Sequence, residues 1–464
     1  MATALGSLVS TGLSSGTTST GGTSTPGLGQ GINVSAFVQA SEANAQARIT
    51  NVQDQQIGVT NATAALTAIT SNLTALKSAI GSLNDPLGVF ASQVATSSNT
   101  GVLTASATST ALPGSHTISV TSLATTSSFY SDPIATSSTP LATGDTIAIS
   151  AGGTQVASVT VDSTNNTLAQ IAAAINKSTN AVQASVITDA NGARLAIVSA
   201  ASGAPGNLTI TGGLHDTSNN PINLNQGVAG VNAVLKVDGV PISSATNTVS
   251  GVIAGVTLSL AGATGGTPVS VAVAPNTTSI TTAINLFVSA YNTAITAVNG
   301  QFQLAAGGVA PPLQTDPTLT DVQSQLLNAT NFTVTNGSGT TSLASIGINT
   351  NQDGTLTVDA GALASSLASN FSGVQSFLQT PLTGFGAAIG SVLTNIAGPG
   401  GELALDAQGY QSQASDLSQQ ISDLQAALVT QTAQLTATYS QVNSTLEELP
   451  LLQSQLTQQL STIA

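Results

Sequence analysis

The stretch Tyr410 to Ile463 reads YQSQASDLSQQISDLQAALVTQTAQLTATYSQVNSTLEELPLLQSQLTQQLSTI. Within it Tyr410, Ala414, Leu417, Ile421, Leu424, Leu428, Gln431, Leu435, Thr438, Val442, Thr445, Leu449, Leu452, Leu456, Gln459 and Ile463 recur at alternating steps of four and three. An ideal helix drifts against a strict seven-residue repeat, so a helix that keeps one this long is expected to supercoil around a partner. At ~1.5 Å per residue it would be roughly 80 Å long, more than one globular domain covers.

A matching seam lies near the other end of the chain. Val52, Val59, Leu66, Leu73 and Ile80 form one heptad row, with Ala62, Ile69, Leu76 and Leu83 three residues behind four of them. Two paired ends with a long middle predict an α+β fold, a discontinuous coiled-coil stalk carrying inserted, mostly-β head domains. The seam residues expected to carry the stalk are Leu66, Ile69, Leu73, Leu76 and Ile80 on one helix. On the other they are Leu417, Ile421, Leu424, Leu428, Leu435, Val442, Leu449 and Leu456. Pro450 offends this helix, so it begins a second helix, kinks the end, or serves as a hinge.

Composition narrows the function. Lys and Arg number 5 against 19 Asp and Glu, a net charge of −14. The five cations, Arg48, Lys77, Lys177, Arg194 and Lys236, are scattered, which argues against nucleic acid and against a basic membrane-surface helix. Cysteine is absent, so disulfides and thiolate chemistry are excluded. Neither a cleaved signal peptide nor an apolar run of membrane-spanning length is expected. Any export would read an uncleaved N-terminus.

Along the chain, 1–26 is Ser/Thr/Gly-rich and expected to be disordered. The N-terminal leg follows at 27–86, opening with Gly27-Leu28-Gly29-Gln30-Gly31-Ile32-Asn33 and an Asn33 or Ser35 cap. From Pro86 alternation replaces heptads. Residues 87–124 and 229–275 read as one discontinuous β domain, split by an α/β insert at 125–228. A helix-rich segment, 276–401, ends at Gly398-Pro399-Gly400-Gly401, and 402–464 is the C-terminal leg.

The Gly-Leu-Gly-x-Gly-Ile-Asn opening with its heptads resembles the filament-capping, hook-associated FliD family, which usually has Asp at the position of Asn33. A longer block is similar too: Ala233-Val234-Leu235-Lys236-Val237-Asp238-Gly239-Val240, then Ile253 to Leu260, then a helix carrying Phe287-Val288-Ser289-Ala290-Tyr291-Asn292. This resemblance implies a structural cap on a bacterial flagellar filament, secreted and exported without a cleaved signal peptide. It further implies a homo-oligomer, pentameric by resemblance, with flagellin and the filament end as partners and an export chaperone at the C-terminal coil. A secreted adhesin for mucin or host glycans, or another flagellar axial or junction protein, are the alternatives.

No constellation points to an enzyme, a cofactor or a metal. Asn349, Asn351, Asp353 and Gly354 imitate the start of a calcium loop, but the twelfth position is Ala360, so a hairpin turn is the better reading. His116 and His215 have no Cys beside them for zinc. Glu447 and Glu448 read as a solvated face of the coil.

Overall fold

The structure, a computed structural model that describes residues 34–304, 307–336 and 339–461, begins with the 51-residue helix α1 (Val34–Asn84) and ends with the 60-residue helix α8 (Glu402–Ser461). The Gly27 to Asn33 opening, residues 1–26 and Ile463 lie outside the described residues. Threonine is a poor helix former, yet both helices are rich in it. In α1, Thr60, Thr63, Thr67 and Thr74 each donate their hydroxyl to the carbonyl four residues earlier, and Thr430, Thr445 and Thr457 do so in α8. The polar atom is thereby satisfied within the helix itself.

Two compact units form. One takes in α1 as far as Ala68, Gln301–Asp316 and α8; the other comprises Ile69–Gly300 and Pro317–Gly401. The division falls inside α1, not at its end. Residues 301–316 also leave the helix-rich segment expected at 276–401 and join the first unit.

In the second unit α1 is followed by β1 (Gln93–Ser97), β2 (Leu103–Ala107) and β3 (Gly114–Ser122). The chain then departs through β4 (Thr126–Ser131), β5 (Thr146–Ala151), β6 (Thr154–Thr160), α2 (Leu168–Ser178), β7 (Val182–Asp189) and β8 (Gly192–Ser202). It continues through β9 (Leu208–Gly212), β10 (Leu214–His215), β11 (Pro221–Ile222) and β12 (Leu224–Val228). It returns as β13 (Ala233–Val237), β14 (Val240–Ser244), β15 (Thr248–Ile253), β16 (Val256–Leu260) and β17 (Val269–Pro275).

The departing and returning segments build separate cores. The sheets β1-β17-β3-β13-β14 and β15-β16-β2 share a core with Leu103, Ile118, Leu235, Leu258 and Val271 at its centre. The sheets β12-β4-β8-β7 and β6-β5-β9 close with α2 over Ile147, Ile171, Ile175, Leu195 and Ile197. Asp238 and Gly239 form the two-residue turn between β13 and β14, with φ of 50° and 85°, the left-handed pair that a tight hairpin demands. Asp238 holds this turn by accepting from Thr117 N–H at 2.8 Å and meeting His116 Nδ1 at 2.7 Å. Those bonds, His116 first, draw its carboxyl below the usual range. Gly255, at φ 72°, approaches Ala111 so closely that a Cβ would lie 2.6 Å from its nitrogen.

Helices complete the unit: α3 (Thr277–Asn299), α4 (Pro317–Thr330), α5 (Ala360–Ser369), α6 (Phe371–Gln379) and α7 (Phe385–Ala397). The hairpins β18 (Thr333–Asn336) with β19 (Gly339–Ser342) and β20 (Ile348–Thr350) with β21 (Leu356–Val358) lie between α4 and α5. Of nine phenylalanines, four gather here: Phe385 meets Phe287 edge-on at 5.6 Å and stacks on Phe377 at 5.4 Å, with Phe332 within 6.5 Å of both Phe377 and Phe385. So scarce an aromatic supply is concentrated in one place, where edge-on and stacked ring pairs add to the apolar burial.

The insert at 125–228 leaves and rejoins its host at one point. Thr125 N–H donates to Val231 O at 3.0 Å, Thr125 Oγ1 donates to Ala229 O at 2.7 Å, and Val231 N–H donates back to Thr125 Oγ1. Replacing 125–228 with a short Gly/Ser linker is therefore expected to leave the remaining β circular dichroism and a monodisperse sedimentation profile. Aggregation or loss of that β signal would show the boundary to be wrong.

Candidate functional site

The apolar row of α1 is buried from Val59 through Ala62, Leu66, Ile69, Leu73, Leu76 and Ile80 to Leu83, at alternating steps of three and four, with Val52 half-buried before it. This is the heptad row, and its second half belongs to the head-bearing unit. The exit of the helix is capped by a side chain from far along the chain. Gln379, buried on α6, donates from Nε2 to Leu83 O at 3.0 Å and to Asp85 O at 2.8 Å. Helix C-termini leave carbonyls without partners, and here one amide satisfies two backbone acceptors at the exit of α1. The start of α7 packs on the same place, for a Cβ on Gly386 would lie 2.8 Å from Asn84 Cβ.

The helix with the sequence Tyr291-Asn292 is gripped in the same manner. Asn292 accepts from Leu356 N–H at 2.7 Å and donates to Leu356 O at 2.8 Å, so its amide stands in for a neighbouring strand beside β21. Tyr291 is fully buried, donates to Leu326 O, and has its phenol pKa pushed up by that burial.

In the other unit, Tyr410 donates to the buried carboxylate of Asp316 at 2.9 Å. Burial first, and then that carboxylate, push the phenol up to about 12. Further along α8, Gln431 reaches Ser41 and Thr432 donates to Glu42 at 2.7 Å. These contacts fix how the helices run. A parallel pair would set buried Val59 beside Leu449, which is exposed, so α1 must run back toward the start of α8, where Leu403 and Leu417 are buried.

The seam expected along α8 is only partly matched. Leu417 is buried and Ile421, Leu424, Leu428 and Leu435 are half-buried, but Val442, Leu449 and Leu456 are exposed. After Leu428 the half-buried positions are Thr432, Leu435, Tyr439, Asn443 and Leu446; Leu435 is on the heptad, and the other four lie one residue past its positions 431, 438, 442 and 445. The reason is geometric. Steps of four, three, four, four and three follow the ~3.6 residues per turn of a straight helix, whereas a strict heptad is kept only when a partner supercoils along it. By about residue 439 the described part of α1 is used up, and among the described residues roughly 30 Å of α8 beyond it has no α1 alongside. Leu449, Leu451, Leu452, Leu456 and Leu460 lie exposed there. Pro450 stands inside an unbroken helix, so it does not begin a second one.

The remaining residues singled out by sequence have local partners. Asp353 accepts from Thr355 N–H and Oγ1 in the hairpin turn that holds Asn351 and Gly354, while Asn349 lies on β20 opposite Thr357. His215 pairs with Asp145 at 3.0 Å, much as His116 pairs with Asp238. Glu447 accepts from Asn443, and Glu448 is exposed. Among the described residues no group of three or more His, Cys, Asp or Glu could hold a metal, and no helix is long and apolar enough to cross a membrane. Gln379 was not anticipated from sequence. Its only signal was a polar residue on a helix whose Val374, Phe377 and Leu378 are all buried.

Two family models match the chain: flagellar hook-associated protein 2 N-terminus over residues 30–127, and flagellar hook-associated protein 2 C-terminus over 230–450. The B-type flagellar hook-associated protein 2 of Pseudomonas aeruginosa is 29% identical over 401 residues, covering 81% of this chain and 84% of its own length. Flagellar hook-associated protein 2 of Escherichia coli K12 is 30% identical over 398 residues, covering 79% and 83%. The crystal structure of the D1-D2-D3 domains of the flagellar cap protein FliD from Escherichia coli superposes with a TM-score of 0.55 at 30% identity, covering 75% of this chain and 99% of that one.

Replacing Gln379 with leucine would fill the space but leave Leu83 O without its donor, while Asp85 O keeps the Gly88 N–H. An unpaired buried acceptor costs about 1–3 kcal/mol. The urea midpoint of the helical transition is expected to fall in Gln379→Leu, followed by far-ultraviolet circular dichroism. An unchanged midpoint would show that water replaces the amide at no cost.

Proposed function

We infer the function from kinship: this chain belongs to the flagellar hook-associated protein 2 family, the flagellar cap proteins, and we propose that it sits as a homo-oligomer on the distal end of the filament. There it promotes the folding and insertion of arriving flagellin subunits, so that filaments elongate and cells swim. By resemblance the cap is a pentamer, exported without a cleaved signal peptide.

The observation that carries this reading is the contrast along α8. Its first half packs with α1, while its last turns expose Leu449, Leu452, Leu456 and Leu460 on a charge-poor helix. So much apolar surface is costly to leave in water, and a helix of this kind is suited to docking. In the proposed cycle an export chaperone covers the stripe before secretion, and the filament end covers it afterwards. A ring of identical legs on a helical filament end cannot meet every site alike, so the legs must adapt.

A strain lacking the gene is expected to be non-motile and to lose unpolymerised flagellin to the medium, with swimming restored by the intact gene. Normal filaments without it would refute a capping role. Pro450 is the proposed point of adaptation. In a helix interior proline removes one hydrogen bond and clashes with the carbonyl four residues earlier, here that of Leu446, at a cost of ~3 kcal/mol. Pro450→Ala is expected to raise the helicity of the free protein while reducing swimming and shedding more flagellin. Higher helicity with wild-type motility would leave the proline without a function.

A further inference from the structure

The two sheets that share the core around Leu103 and Leu235 part at one edge. There β14 is an outer strand of one sheet and β15 of the other. Ile242 and Val240 lie opposite Leu235 and Val237 across the β13–β14 ladder, so they face inward with those buried residues. Val240 is nonetheless 57% exposed. On the other side β15 bulges between Ser250 and Ile253, with Gly251 at φ 76°. A bulge re-aims the side chains beside it, and here Val252 and Ile253 line a cavity of about 380 Å³ together with Val237, Val240 and Ile242. Leu112, itself 77% exposed, lines its mouth. The loop before Leu112 is fixed, since Thr108 N–H donates to Gly255 O at 2.8 Å and Ala111 N–H donates to Thr108 O at 3.1 Å. The cavity thus stands ready-made, as ligand sites generally do.

Its polar part is one pair. His116 and Asp238 both line the cavity, and Asp238 accepts from Thr117 N–H as well as from His116 Nδ1. An ionised carboxylate can only accept, so Nδ1 carries the proton, and Nε2 of the neutral ring is an acceptor without a partner among the described residues. The other lining side chains are Val, Ile, Leu and Ala, which donate nothing. Apolar walls with a free acceptor and a carboxylate favour a ligand that brings its own donor, and they disfavour an anion. An added protein strand is poorly suited to this edge. Pro241 stands on β14 opposite Lys236, and proline offers no N–H for a further strand to pair with.

We propose that this cavity binds a small, neutral, mostly apolar molecule of one or two rings with an O–H or N–H donor, its rings between the sheets and its donor on His116 Nε2. An apolar cavity of about 150 Å³ holds a benzene ring, so two rings fit here. Such binding is independent of the capping role.

The probe is 2-naphthol, with two rings and one hydroxyl, and naphthalene is the same body without the donor. The chain has no tryptophan, so probe fluorescence is read free of indole emission. The full chain is expected to bind 2-naphthol saturably and naphthalene ~10-fold more weakly, the worth of about one hydrogen bond. His116→Phe keeps an aromatic wall but no acceptor, so it should lose that ~10-fold for 2-naphthol and bind naphthalene as before. Ala254→Phe, at an exposed position of the lining, should fill the space and abolish binding of both probes with its thermal midpoint unchanged. Failure of the wild type to bind either probe, or undiminished binding by Ala254→Phe, overturns the site. Equal affinity of the wild type for both probes, or His116→Phe binding 2-naphthol as tightly as the wild type, overturns His116 as the acceptor and with it the donor-bearing ligand.

Discussion

A buried amide closes the exit of the first helix against the rest of its unit, beside the buried row that packs it there. Gln379 gives both of its N–H bonds to backbone carbonyls at the exit of α1, almost 300 positions earlier in the chain. The β strands, the insert and α3 to α5 all lie in sequence between the two ends of that bond, so they form a loop closed at its base. The same device recurs above it. Asn292 grips Leu356, Asn247 grips Ala124 and Asn176 grips Ala184, each accepting from the N–H and donating to the C=O of one residue. Among the described residues only three ion pairs occur, two of them through histidine. Neutral amides do the long-range fixing that charges do in other proteins, and unlike surface ion pairs they are not screened by salt.

Much of this was legible in sequence where burial leaves a period. The α1 row, the strand at Leu103–Ala107, the hairpin at β7 and β8 and the α3 face from Ile280 to Val298 all repeat their apolar residues on one side. Elements without such a period were missed: β4, Thr-Ser-Ser-Phe-Tyr-Ser, buries two serines, and β18 with β19 is nearly all Thr, Asn, Gly and Ser. The α8 seam erred in a different way. Apolar residues do keep seven-residue spacing, but among the described residues no second helix lies alongside beyond about 439 to impose it.

Rigidity and adaptability are thus separated along the chain. The cores of the second unit are closed by sheets, aromatic stacking and amide clamps, and α1 enters that unit with a fully buried row. The end of α8 has none of these, and carries a proline in an otherwise regular helix. Such a division suits the proposed capping role, in which one part would keep its shape while the other adjusts.

Native-state hydrogen exchange of the isolated full chain tests this division most directly, since it reports local opening residue by residue. Amides of α1 from 69 to 83 are expected to exchange as slowly as those of α3, opening only with their unit, while α8 from 443 to 461 exchanges far faster than its own first half. Uniform protection along α8, or α1 residues 69–83 exchanging as fast as that tail, would contradict it.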